Sequence, residues 1–89
     1  MNREFVLTRR FEKDVACLTK QAAAQMEKAL ALYFQNPRHP SLQCKKIQGT
    51  LNLYEIRINL ALRIVVEIVR EENIETNYFL LIGTHDQVF

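Results

Sequence analysis

No stretch of this chain approaches the roughly 18 to 20 uncharged apolar residues that a membrane-spanning helix requires. The opening MNREFVLTRR also lacks the apolar core of a signal peptide. These two absences predict a cytoplasmic protein with no membrane partner. Cysteine is scarce: Cys17 and Cys44 stand in no ligand-like spacing, and in a reducing compartment such thiols stay free, so both are expected to serve packing. Histidine is equally scarce. His39 and His85, with no Cys/His spacing around them, give no zinc site, and no metal or other cofactor is expected. No internal repeat or low-complexity tract appears.

What is present fits one small domain spanning residues 1–89. The hydrophobic fraction is 48%, enough for a core, at a size where the margin of stability is thin. Net charge is only +2, but it is unevenly spread. Residues 1–50 hold nine Lys/Arg against four acids, and residues 51–89 hold three against six. That asymmetry suits a partner carrying phosphates or carboxylates, unless folding interleaves the two halves and cancels the field.

The apolar spacing gives an order of elements. Glu4 to Thr8 reads as a short strand, and Thr8 as the N-cap of a helix whose Phe11, Val15 and Leu18 share one face. Thr19 caps a second helix over 21–35, with Ala22, Met26, Ala29, Leu30 and Tyr33 as its buried stripe. Asn36-Pro37 stops it, because a residue before proline is pushed out of the helical region. A proline-containing connection leads to an extended piece around Leu42 to Ile47 and a turn at Gly49. Two alternating strands follow. In the first, Tyr54, Ile56 and Ile58 oppose Glu55 and Arg57; in the second, Leu62, Ile64, Val66 and Ile68 oppose Arg63, Val65 and Glu67. Glu71 to Thr76 reads as a polar turn, and Asn77 to Gly83 as a central strand covered on both sides. The expected fold is α+β: one strand, two helices, then three or four strands in a mostly antiparallel sheet with the helices on one face. Glu55, Arg57, Arg63 and Glu67 should then be displayed on the other.

If the hairpin between the two alternating strands turns near Leu60, Arg57 and Arg63 face each other directly. Like charges so opposed cost up to roughly 1 kcal/mol, which suggests an anion between them; guanidinium forks grip phosphate oxygens in a bidentate way. The alternative is a surface ladder in which Glu55 and Glu67 neutralise both arginines, and a one-residue slip of the turn would undo the pairing.

The ordered set FEKDVACL, LYFQNPRHPSLQCKKIQG, LYEIRINLALRIVVEI and LLIGTHDQVF resembles the RelE/ParE superfamily of toxins from bacterial toxin-antitoxin modules, close to its mRNA-cleaving RelE-like branch. The resemblance covers nearly the whole chain. It implies a toxin that enters the ribosomal A site and cuts the mRNA there, held inactive in a hetero-oligomer with a cognate antitoxin. It further implies that His85 stands at a histidine or basic position of the site, that Arg57 and Arg63 hold the scissile phosphate, and that Phe89 stacks on a base. Relatives use the pair matching Lys45 and Lys46 to grip a nucleic-acid backbone; by sequence alone the two lysines could equally form a solvated edge. His39 reads as a solvated loop residue or an RNA contact, and Asp86 as an orienter of His85 or a residue facing water.

The chain also departs from the family's pattern. Glu55 stands where one of the cations would be, Phe89 offers no hydroxyl, and Leu81 occupies a place where histidine-bearing relatives carry arginine. Such a site is either a histidine-centred variant with Glu55 as a second acid/base group, or that of a toxin that has lost activity. A ParE-like toxin acting on DNA gyrase, which needs no catalytic groups, fits the reduced cation count as well.

Overall fold

Two threonines start the helices, as the sequence predicts. Thr8 is extended (φ −70°, ψ 159°), and its hydroxyl accepts the Phe11 N–H to open α1, Arg9–Ala16. Thr19 does the same for Ala22 N–H at 3.1 Å and opens α2, Lys20–Gln35. The computed structural model describes residues 2–88; Met1 and Phe89, and the side chains of His85 and Val88, lie outside the described residues.

The strands are β1 (Asn2–Leu7), β2 (Lys45–Lys46), β3 (Leu53–Arg57), β4 (Leu62–Glu71) and β5 (Ile74–Thr84), and a helical turn α3 (His85–Val88) follows. They form one sheet in the order β1-β5-β4-β3-β2. β1 runs parallel to β5 and the other pairings are antiparallel. The class is α+β, as expected.

Four local readings are corrected. β1 begins at Asn2 and ends at Leu7, because Thr8 leaves the sheet to cap α1. The polar segment 71–76 is mostly strand: only Glu72 and Asn73 turn, with Glu72 in the left-handed region (φ 53°), and the Arg70–Glu75 ion pair at 3.0 Å straddles the turn. Cross-strand pairing has overridden the polarity of the side chains. The piece expected to be extended from Leu42 to Ile47 pairs only at Lys45–Lys46; before it lies a single 3₁₀ turn, Pro40–Leu42, closed by Gln43 in the left-handed region. Finally, the last strand runs over Ile74–Thr84 rather than from Asn77 to Gly83, and the backbone then forms a helical turn, His85–Val88.

The core lies between the helices and one sheet face. Phe11, Met26, Ala29 and Tyr33 come from the helices, and Ile56, Ile64, Val66, Ile68, Phe79 and Ile82 from the sheet. On β5 the inward positions are Asn77, Phe79 and Ile82, an odd, odd, even series. A bulge explains it: Val65 pairs with Leu81 but Val66 pairs with Phe79, so Leu80 is an extra residue that resets the alternation. α1 satisfies the backbone beside it. The Thr8 hydroxyl donates to Phe79 O at 2.6 Å, and Asp14 Oδ2 accepts the Ile82 N–H at 3.2 Å. Asn77, fully buried, accepts the Tyr33 hydroxyl at 2.7 Å and donates to Glu4 O.

Candidate functional site

The site begins with the β3–β4 hairpin. Asn59 Oδ1 accepts the N–H groups of Ala61 and Leu62, both at 2.8 Å, and Ile58 N–H donates to Leu62 O. This closure centres the turn on Leu60 and puts Arg57 opposite Arg63, the register the sequence predicts. Gly83 pairs with Arg63 from the other side, so one row across the sheet reads Arg57, Arg63, Gly83.

The two guanidinium groups are held differently. Arg63 Nη1 donates to Asn59 O at 2.7 Å and to Leu62 O at 3.0 Å, which seats its charge on the turn. Arg57 is half-buried, and among the described residues its side chain has neither a hydrogen bond nor an ion pair. Engaging one arginine with carbonyl dipoles lowers the cost of placing the second across from it. The pair therefore keeps one cation free for an anionic ligand.

The next row reads Lys45, Glu55, Val65, Leu81. Glu55, expected on display, is only 8% exposed, and Val65 beside it is 4% exposed. Each is flanked within the row, and the Lys45 ammonium reaches Glu55 Oε1 at 3.4 Å. A glutamate can be buried here because that cation accompanies it. Beside it, burial, and then the Glu55 charge, push the Cys44 thiol up, so it stays a neutral packing residue. Cys17, expected to be packed, is exposed.

Other sequence candidates separate. Lys46 pairs with Tyr54 and so points to the opposite side of the sheet from Lys45; the two lysines do not act as one patch. His39 caps the 3₁₀ turn, its Nδ1 accepting the Ser41 N–H at 3.2 Å with Ser41 Oγ at 2.8 Å. Asp86 is exposed. The His85 backbone follows directly on Thr84, whose partner across the sheet is Leu62, so the chain reaches His85 at the hairpin end of the sheet. The His85 side chain and Phe89 lie outside the described residues. Among the described residues no three His, Cys, Asp or Glu side chains gather closely enough to hold a metal ion.

Two supports went unread in the sequence. Thr84 and Gln87 bond reciprocally, Thr84 N–H to Gln87 Oε1 at 2.8 Å and Gln87 N–H to Thr84 Oγ1 at 3.3 Å, which fixes the start of the terminal turn. The T-H-D-Q spacing spells this capping box. Gln25 Oε1 on α2 accepts Asn59 Nδ2 at 2.8 Å and ties the hairpin to the helix; no local pattern signals that contact.

No protein-family model matches the chain, and no curated protein matches it. Solved structures do. The chain is similar to the E. coli DinJ-YafQ toxin-antitoxin complex (TM-score 0.79, 15% identity, covering 100% of this chain and 99% of that one). It is also similar to the RelB-RelE antitoxin-toxin complex of Methanococcus jannaschii (TM-score 0.70, 18% identity, covering 93% of each). A third likeness is to a YoeB/ParE toxin from Agrobacterium tumefaciens (TM-score 0.73, 12% identity, covering 92% of this chain and 98% of that one). The chain thus has the fold of the RelE/ParE-like toxins.

Proposed function

We propose that this chain is the toxin of a toxin-antitoxin module and an endoribonuclease that cuts mRNA in the ribosomal A site. The observation that carries the reading is the opposed Arg57–Arg63 pair at the end of a sheet that has the toxin fold. Cleavage proceeds by attack of a ribose 2′-oxygen on the adjacent phosphorus. The P–O2′ bond forms, the P–O5′ bond breaks, and the products are a 2′,3′-cyclic phosphate and a 5′-hydroxyl.

Two protons move in this step. His85 is the proposed proton carrier, histidine being the side-chain type suited to exchange near neutral pH, and Glu55 the second acid/base group. Arg57 and Arg63 hold the phosphate and offset the charge that develops on it. Phe89 stacks a base. On the open face Lys45 contacts the RNA backbone beyond the cut bond; Lys46, on the other side of the sheet, does not share that contact. No metal or other cofactor enters the step. A cognate antitoxin, by likeness to the DinJ-YafQ and RelB-RelE assemblies, would cover the basic face in a hetero-oligomer.

The Lys45–Glu55 ion pair favours a second reading, a ParE-like toxin acting on gyrase or an inactive antitoxin-binding relative, because it neutralises one of the few cations on this face. One experiment separates them. Wild type, His85→Ala and Arg57→Ala are induced separately in cells lacking the antitoxin, and mRNA 5′ ends are mapped alongside growth. Arrest with new ends inside translated codons, lost in both variants while they stay folded, is the expected result. Arrest without new ends would move the chain to the gyrase class, and no arrest to the inactive one.

A further inference from the structure

β2 ends opposite Glu55, so the β3 edge at Arg57 has no partner strand, and Arg57 borders a cavity on the helix side of the sheet. This cavity, of about 270 Å³, lies between α2 and the hairpin. Its lining includes Lys28, Arg57, Gln25 and Ser41 over an apolar floor of Leu42 and Ile58, and it contains no carboxylate. Lys28 is exposed and, like Arg57, has no ion pair among the described residues. The walls are fixed. Gln25 is bonded to Asn59 of the turn, and Ser41 Oγ lies 2.8 Å from His39 Nδ1. The Lys28 ammonium, the Gln25 amide and the Ser41 hydroxyl around a held, concave space form a seat for a singly charged phosphodiester.

We infer that this cleft is a second phosphate subsite, which takes the sugar-phosphate backbone of single-stranded RNA where it leaves the Arg57–Arg63 pair, with Lys28 as its cation. The inference rests on the nuclease reading only for the identity of the strand. Arg57 borders both places, so the strand would run from the open sheet face around the free β3 edge toward α2. Lys28 is a binding residue here and has no part in the bond-breaking step.

The test uses a labelled single-stranded RNA built wholly from 2′-O-methyl nucleotides, which carries every phosphate and cannot be cut through its 2′-oxygen. Binding is followed by anisotropy across a salt series. One lost phosphate contact on a single strand lowers the slope of log K against log salt by about 0.7, which is about eightfold in affinity at about 50 mM salt. Lys28→Ala should show that loss, Lys28→Arg should restore it, and Lys20→Ala, more than two helical turns away on α2, should leave the slope near wild type. A Lys28→Ala slope equal to wild type overturns the inference, as does an equal loss in Lys20→Ala, which would mean net charge alone. Weakened antitoxin binding by Lys28→Ala with RNA binding intact would also overturn it, assigning the cleft to a protein partner. A chain that makes no cuts in cells but shows the Lys28-specific loss keeps the subsite and loses the nuclease.

Discussion

Arg63 gives its guanidinium to the turn carbonyls and Arg57 does not, so the two residues should fail differently when truncated. Arg57→Ala removes a free cation and should lower single-turnover cleavage by about 10² to 10³-fold, the range for losing one preorganised charge-stabilising group, with little change in melting temperature. Arg63→Ala should lose comparable rate and also destabilise the hairpin by about 1 kcal/mol, seen as a lower urea midpoint. Glu75 offers a separate test at the same scale. Its burial raises the carboxyl pKa, but hydrogen bonds from Arg3 and Asn77 and the Arg70 charge together outweigh that, and the folded value lies below the usual glutamate range. Stability from this group is therefore fully present above the unfolded value of about 4.3 and is lost as pH falls through the lower folded value. The unfolding free-energy gap between wild type and Glu75→Gln should be flat from about pH 7 to pH 5 and shrink below about pH 4. The arginine pairing was legible because a two-fold alternation and one turn centre determine it. The burial of Glu55 was not, since Lys45 reaches it from a strand only two residues long.

At the scale of elements, both helix starts were legible, because Thr8 and Thr19 act within three residues of themselves. β5 was not. Its run from Tyr78 to Ile82 is apolar on both parities, so nothing in the pattern reveals that Leu80 is extra, and the side chains that bond the backbone on either side of the bulge, Thr8 and Asp14, lie some seventy residues away in sequence. The Tyr33–Asn77 bond is equally non-local, and it locks α2 to the sheet. Burial raises the Tyr33 phenol well above the ordinary tyrosine value, so the hydroxyl remains a donor at any working pH. Tyr33→Phe leaves the buried Asn77 Oδ1 unpartnered and should cost about 1 to 3 kcal/mol. Urea unfolding should show a lower midpoint with the same m-value, whereas an unchanged midpoint would mean that another donor reaches Asn77.

Across the whole molecule, the basic first half and acidic second half of the sequence do interleave. The open sheet face is basic at the hairpin end, where Arg57 and Arg63 come from the acidic half and Lys45 from the basic one; at the other end Glu4, Glu71 and Glu72 surround a cavity with Tyr78. A polyanion is thereby drawn to the hairpin end and repelled from the other. Charge counted along the chain could not show this, because strand order decides which residues meet. Whether that face cuts RNA through the ribose is decided most directly by the chemistry of the cut ends. The purified chain is added to ribosomes programmed with a labelled mRNA, and the termini of the fragments are identified. Attack by the 2′-oxygen predicts an upstream 2′,3′-cyclic phosphate and a downstream 5′-hydroxyl, both missing with Arg57→Ala. Fragments ending in a 3′-hydroxyl and a 5′-phosphate, or an mRNA left whole, would contradict it.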